Sequence, residues 1–124
     1  MGENRVYFRV SFEKPLQFKI CSLDLLSDLH VASSRNVSQS GICFASKTNP
    51  PLGTILMIQA DLKTLANCIR IENHLFELEG CVLGKVIWTL PSRQKDGLYD
   101  VGVSFIKTQD AESFEVQQAV ALLS

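Results

Sequence analysis

Residues 16–22 read LQFKICS, in which Leu16, Phe18 and Ile20 alternate with Gln17, Lys19 and Cys21. Period-two alternation marks a strand with one face in a core and the other in water. A first strand is therefore expected from about residue 15. Toward the C-terminus, LHVASSRNVS (29–38) reads as a less regular strand that runs out at SQSG (38–41). GICFAS (41–46) alternates again at Ile42 and Phe44, and the following KTNPPLG (47–53) stops any regular element through Pro50, Pro51 and Gly53. TILMIQADL (54–62) is a rather continuous apolar strand. NHLFELEGCVLGKVIW (73–88) is long enough for one bent strand or two, with Gly80 and Gly84 available for bulges or close backbone approach. After a loop at LPSRQKDG (90–97), LYDVGVSFI (98–106) supplies a last strand with Val101, Val103 and Phe105 on one face.

Only the tail changes period. In DAESFEVQQAVALLS (110–124), Val116, Ala119, Val120 and Leu123 form one apolar helical stripe. Asp110 and Glu112 stand where acids suit a helix N-terminus, so a helix over 110–123 is expected. Six or so antiparallel strands followed by one helix point to a small closed barrel, because closure removes the exposed strand edges that invite aggregation. The sequence thus predicts a single mostly-β domain over 1–124. A weakly patterned, flexible N-terminal arm occupies 1–14, the barrel 15–108 and the C-terminal helix 110–123.

Composition narrows the function. At 46% hydrophobic and 20% charged residues the chain is an ordinary globular domain. Its 12 basic and 13 acidic side chains leave a formal net charge of -1. Binding of a nucleic acid polymer draws on a broad excess of Lys and Arg to neutralise phosphates, so DNA and RNA are not expected partners. No apolar run approaches the length that spans a bilayer, and no secretion signal is visible, so neither membrane insertion nor export is expected. Cys21, Cys43, Cys68 and Cys81 show no C-x-x-C spacing, which favours structural thiols in a cytoplasmic protein. His30 and His74 are isolated from other metal-ligating residues and read as surface or barrel-rim side chains, and no metal site is expected. No nucleophile–base pair, paired carboxylates or phosphate loop is present, and Glu72, Glu77 and Glu79 read as exposed strand faces; an enzyme is not expected.

Two short motifs carry the chemistry. NRVYFRV (4–10) places Arg5 and Arg9 four residues apart in the arm. NVSQSG (36–41) is by itself explained as a turn, with Asn36, Ser38 and Ser40 able to bond their own backbone and Gly41 able to take positive φ. Taken together the two say more. R-x-x-x-R in an N-terminal segment, then a strand, then N-x-S-x-x-G leading into GICF, a Pro and Gly turn, GKVIW, YDVGVSF and a final helix closely resemble the PilZ domain family over nearly the whole chain.

That resemblance implies a six-stranded antiparallel barrel with a C-terminal helix, acting as a receptor for the bacterial second messenger cyclic di-GMP without catalysis. Arg5 and Arg9 would be the principal ligand groups, since a planar guanidinium can meet a guanine edge or a phosphate with a bidentate fork and can stack on a base. The matching positions of the second motif, Asn36 and Ser38, would contact guanine and phosphate from the barrel surface, and Gly41 would let the backbone approach the ligand. Asn4 stands where family members often carry a further basic residue that influences whether one nucleotide or a pair is held. Ser40 and Trp88 are secondary candidates. Trp88 and Tyr7 could stack on a guanine, although a place in the core is the more ordinary expectation for such aromatics. Binding is expected to order the arm and signal to a protein partner supplied in trans. The alternative is a PilZ-like module that binds another protein and no nucleotide.

Overall fold

The computed structural model describes residues 10–11, 13–21, 29–38, 40–60, 77–78 and 81–123. Asn4, Arg5, Tyr7 and Arg9, together with Cys68, Glu72, His74, Glu79 and Gly80, lie outside these described residues. The strands are β1 (Val10–Ser11), β2 (Pro15–Ile20), β3 (Leu29–Val37), β4 (Gly41–Ser46), β5 (Ile55–Gln59), β6 (Glu77–Leu78), β7 (Cys81–Pro91) and β8 (Tyr99–Phe105), and they are followed by helix α1 (Phe114–Leu123). All pairings are antiparallel. The order β3-β2-β5-β7-β8-β4 closes through a β4–β3 pairing into a six-stranded barrel, with β6 appended to β7.

Val10 and Ser11, placed in the arm by the sequence reading, pair with Val37 and Asn36 of β3. β2 then continues along the same edge of β3, from Pro15 opposite Ser33 to Lys19 opposite Leu29. Lys14 bridges the two: its N–H donates to the Ser34 hydroxyl at 2.9 Å, and its carbonyl accepts from that hydroxyl at 3.0 Å. This satisfies the hydroxyl of a serine that is buried.

The period-two residues fill the interior. Leu16, Phe18 and Ile20 meet Ile42, Phe44, Leu56, Ile58, Val101, Val103 and Phe105 in the barrel core. The half-buried His30 lies against Phe18 with ring centroids 5.2 Å apart, and its Nδ1 is 3.1 Å from the Thr48 hydroxyl. The unbroken apolar runs in β5 and β7 have a separate cause. Ile55, Met57 and Leu83 face out of the barrel and pack under Val116, Ala119 and Val120 of α1, so these strands are covered on both sides.

The helix begins later than expected. Asp110 belongs to a 3-10 turn at Thr108–Asp110, Glu112 precedes the helix, and the first-turn acid is Glu115. The Ser113 hydroxyl accepts from the Val116 N–H at 3.4 Å, and the Ser113 carbonyl accepts from Gln117 N–H at 3.0 Å, so Ser113 starts the helix. β7 also outruns its expected end: Leu90 and Pro91 pair with Asp100 and Tyr99 instead of opening the loop.

Cys21, at the end of β2, is buried under α1. Burial pushes its thiol from an ordinary 9.0 up to about 11, against smaller downward pulls from a Met57 backbone hydrogen bond and the Lys19 charge. Because the folded state holds the proton more tightly than the unfolded chain, the stabilisation is complete below pH 9 and is lost as pH rises through about 11. Urea unfolding at a series of pH values is therefore expected to show stability falling across that window, with a shallower fall in Cys21→Ala. Equal slopes for the two proteins would contradict the assignment.

Candidate functional site

Two β-bulges build the site. In β3, Ala32 and Ser34 face the core, and simple alternation would send Asn36 inward after them. The register slips at Arg35 instead: Ser34 opposes Phe44, but Asn36 opposes Cys43 and Val37 opposes Ile42. Val37 thus takes the core position, fully buried, and Asn36 turns to the outer surface. In β7, Val82 and Val86 face the core and Trp88 would follow. A slip at Ile87 leaves Val86 opposite Val103 but sets Trp88 opposite Gly102. Val101 and Val103 point inward, so Gly102 and Trp88 point out. The core position expected for Trp88 is corrected by this bulge. Bulges are a known means of re-aiming a side chain beside a site.

The two slips have one result. Asn36, Cys43, Gly102 and Trp88 stand on a single rung across β3, β4, β8 and β7, and Ser11 of β1 extends it opposite Asn36. A Cβ at position 102 would fall on the indole ring at Nε1, Cε2 and Cδ1, so the ring rests directly over the glycine backbone. One face of Trp88 is thereby held against β8.

The β3–β4 turn closes the end of this surface. The Ser38 N–H donates to the Gly41 carbonyl at 2.9 Å, and the Ser40 N–H donates to the Ser38 hydroxyl at 3.4 Å. The two hydroxyls are 3.4 Å apart, and the Phe105 N–H donates to the Ser40 carbonyl at 2.8 Å, which ties the turn to the end of β8. Gly41 does not have positive φ; among the described glycines only Gly53 and Gly97 do. It opens β4 opposite Ser104, and a Cβ there would collide with the Val103 carbonyl, well inside 3.0 Å. Close passage of β8 is what requires glycine at this position, in place of the turn geometry expected from the sequence. Gly84, in the same way, serves close approach, to the Val103 side chain, and not a bulge.

Together these elements enclose a cleft of about 120 Å³ lined by Asn36, Ser38, Ser40, Gly41, Cys43, Trp88 and Ser104, with Ile87 at its margin. Its lining is uncharged, and it combines hydroxyls, an amide and an indole. It is smaller than the roughly 300–1,000 Å³ that encloses a drug-sized molecule, so a larger ligand would have to lie partly across the surface. Arg35, next to Asn36 in β3, lines a separate cavity with Ser33, Gln94 and Lys95: its Nε is 3.0 Å from Asp100 Oδ1, and its terminal nitrogens bond Gln94 and the Ser92 hydroxyl, the latter at 3.3 Å. The bulge residue of β3 is thus strapped across β4 to β8 and the β7–β8 loop.

No protein-family model and no curated protein match the chain. A solved PilZ domain is similar to it. That structure, described as the PilZ domain with c-di-GMP of YcgR from Escherichia coli, is 14% identical with a TM-score of 0.43, over 98% of this chain and 90% of that one.

Of the residues singled out from sequence, Asn36, Ser38, Ser40, Gly41 and Trp88 come together in the cleft. Asn4, Arg5 and Arg9 lie outside the described residues. Sequence reasoning missed Cys43, Gly102 and Ser104, whose only signal was their outward phase in two alternating strands, and it missed Arg35. Among the described residues no three His, Cys, Asp or Glu side chains gather as a metal site would need, and no helix is long and apolar enough to cross a membrane.

Proposed function

We propose that this protein is a cytoplasmic receptor for cyclic di-GMP, with no catalysis of its own, whose N-terminal arm closes over the ligand and signals to a partner protein. The observation that carries the reading is the single outer rung holding Asn36 and Trp88, with Ser38 and Ser40 at its end. An amide beside hydroxyls matches a guanine edge and a phosphate, and an indole face matches the base plane. The register of β1 gives further support. Val10 pairs with Val37, between Asn36 and Ser38, and Arg9 directly precedes Val10 in the sequence. The uncharged cleft needs cations for a ligand with two phosphates, and Arg5 and Arg9 supply them. Ordering the arm costs about 1–2 kcal/mol of backbone entropy per residue. Several charge-assisted bonds of about 1.5–3 kcal/mol each offset that cost.

Trp88 is the only tryptophan of the chain, so its fluorescence reports on the cleft directly. Titration with cyclic di-GMP is expected to change that emission and to give calorimetric heat with a dissociation constant from nanomolar to low micromolar, about -8 to -12 kcal/mol. Trp88→Ala is expected to bind about tenfold more weakly, in line with a base–aromatic stack of about 1–3 kcal/mol. Neither heat nor a fluorescence change at tens of micromolar nucleotide would overturn the reading in favour of a protein-binding module. Limited proteolysis checks the arm: residues 1–9 are expected to gain protection on binding, and equal protection without nucleotide would remove the arm from the mechanism.

A further inference from the structure

The cleft lining is uncharged, yet the rung beside it carries a cation. Gly41 of β4 pairs with Ser104 of β8, and Ser104 pairs with Lys85 of β7, on the same outer surface as the rung of Asn36 and Trp88. Directly opposed residues have Cβ atoms about 4.5–5.5 Å apart, so the four-carbon stem of Lys85 can carry its ammonium over Ser104 to the cleft. In the structure that ammonium is turned the other way, 3.0 Å from Glu115 Oε1 in the first turn of α1. Both side chains are substantially exposed, 39% for Lys85 and 51% for Glu115. An ion pair so open to water holds only weakly and is readily exchanged for a stronger one. Arg35, next to Asn36 in β3, differs: its guanidinium is engaged at once by Asp100, Ser92 and Gln94.

Resting on the reading of the cleft as a cyclic di-GMP site, we infer that Lys85 is a further phosphate-binding residue and that Glu115 competes with the nucleotide for it. A ligand phosphate over Ser104 draws Lys85 away from Glu115, because it offers more negative charge and several acceptor oxygens. The first turn of α1 then loses its tie to β7, while Val116, Ala119 and Val120 keep the helix docked. Phe114, 77% exposed, sits on that turn, so the loosened segment carries an aromatic side chain that is already open to solvent. Linkage makes the effect reciprocal: the factor by which the Lys85–Glu115 pair weakens nucleotide binding is the factor by which bound nucleotide weakens the pair.

The test is a double-mutant cycle read by calorimetric titration of cyclic di-GMP into the parent, Glu115→Gln, Lys85→Met and the double variant. Glu115→Gln is expected to bind about threefold tighter, and Lys85→Met about tenfold weaker. The double variant should match Lys85→Met, because Glu115 then has nothing to withhold. In the parent, hydrogen exchange at the Val116 and Gln117 amides should quicken on binding, and in Lys85→Met it should not. A parent that binds, with Lys85→Met at parental affinity or with Glu115→Gln tightening binding equally whether or not Lys85 is present, overturns this inference and leaves the receptor reading standing. A parent that does not bind the nucleotide overturns both.

Discussion

Gly41→Ala is expected to lose about 2–3 kcal/mol of stability, the upper part of the range for overpacking a tight site. That corresponds to a thermal midpoint lower by about 10 °C for a domain of this size. The added methyl would meet the Val103 carbonyl, which is backbone, in the β4–β8 seam of a closed barrel. Neither strand can withdraw without breaking its pairing to the next. Gly102→Ala is the control: there the methyl meets the ring of the half-exposed Trp88, which can swing outward. It should melt within a few degrees of the parent while losing the stacking face of the cleft. Circular dichroism melts of the three proteins decide the matter, and a Gly41→Ala variant that melts with the parent would contradict the seam argument. The contrast also bears on function, since loss of binding in a Gly41 variant would follow from the broken seam whether or not Gly41 touches the ligand.

Arg9→Ala is expected to weaken cyclic di-GMP binding about a hundredfold, with an unchanged melting temperature. Two charge-assisted hydrogen bonds from one guanidinium fork amount to about 3 kcal/mol or more, and each 1.4 kcal/mol is tenfold in affinity. Lysine should restore only a part, because a point charge cannot reproduce the fork or the stack. Stability should not move, since among the described residues the barrel core begins at Leu16. Calorimetric titration of parent, Arg9→Ala and Arg9→Lys measures this series. Equal affinities across the three would remove Arg9 from the site.

The strands were legible because burial on one side leaves a period-two trace: Leu16, Phe18 and Ile20, or Val101, Val103 and Phe105, announce both an element and its inner face. The helical stripe at Val116, Ala119 and Val120 was legible for the same reason, although its start was misplaced, since acids near a helix say less than the serine that caps it. The pairing of NRVYFRV with NVSQSG was also readable in sequence as a family pattern. The direction in which Asn36 and Trp88 point was not. Each follows inward-facing residues at strict alternation, and each is turned outward by one extra residue, Arg35 or Ile87, that opposes no partner across the strand. A bulge is a property of two strands in register, so it leaves no local periodicity to read. The amino-acid sequence by itself determined the six barrel strands, the apolar stripe of the helix and the motifs. Only the closed barrel decided that an asparagine and a tryptophan 52 positions apart share one rung, because only closure sets the register that brings β3, β4, β8 and β7 side by side.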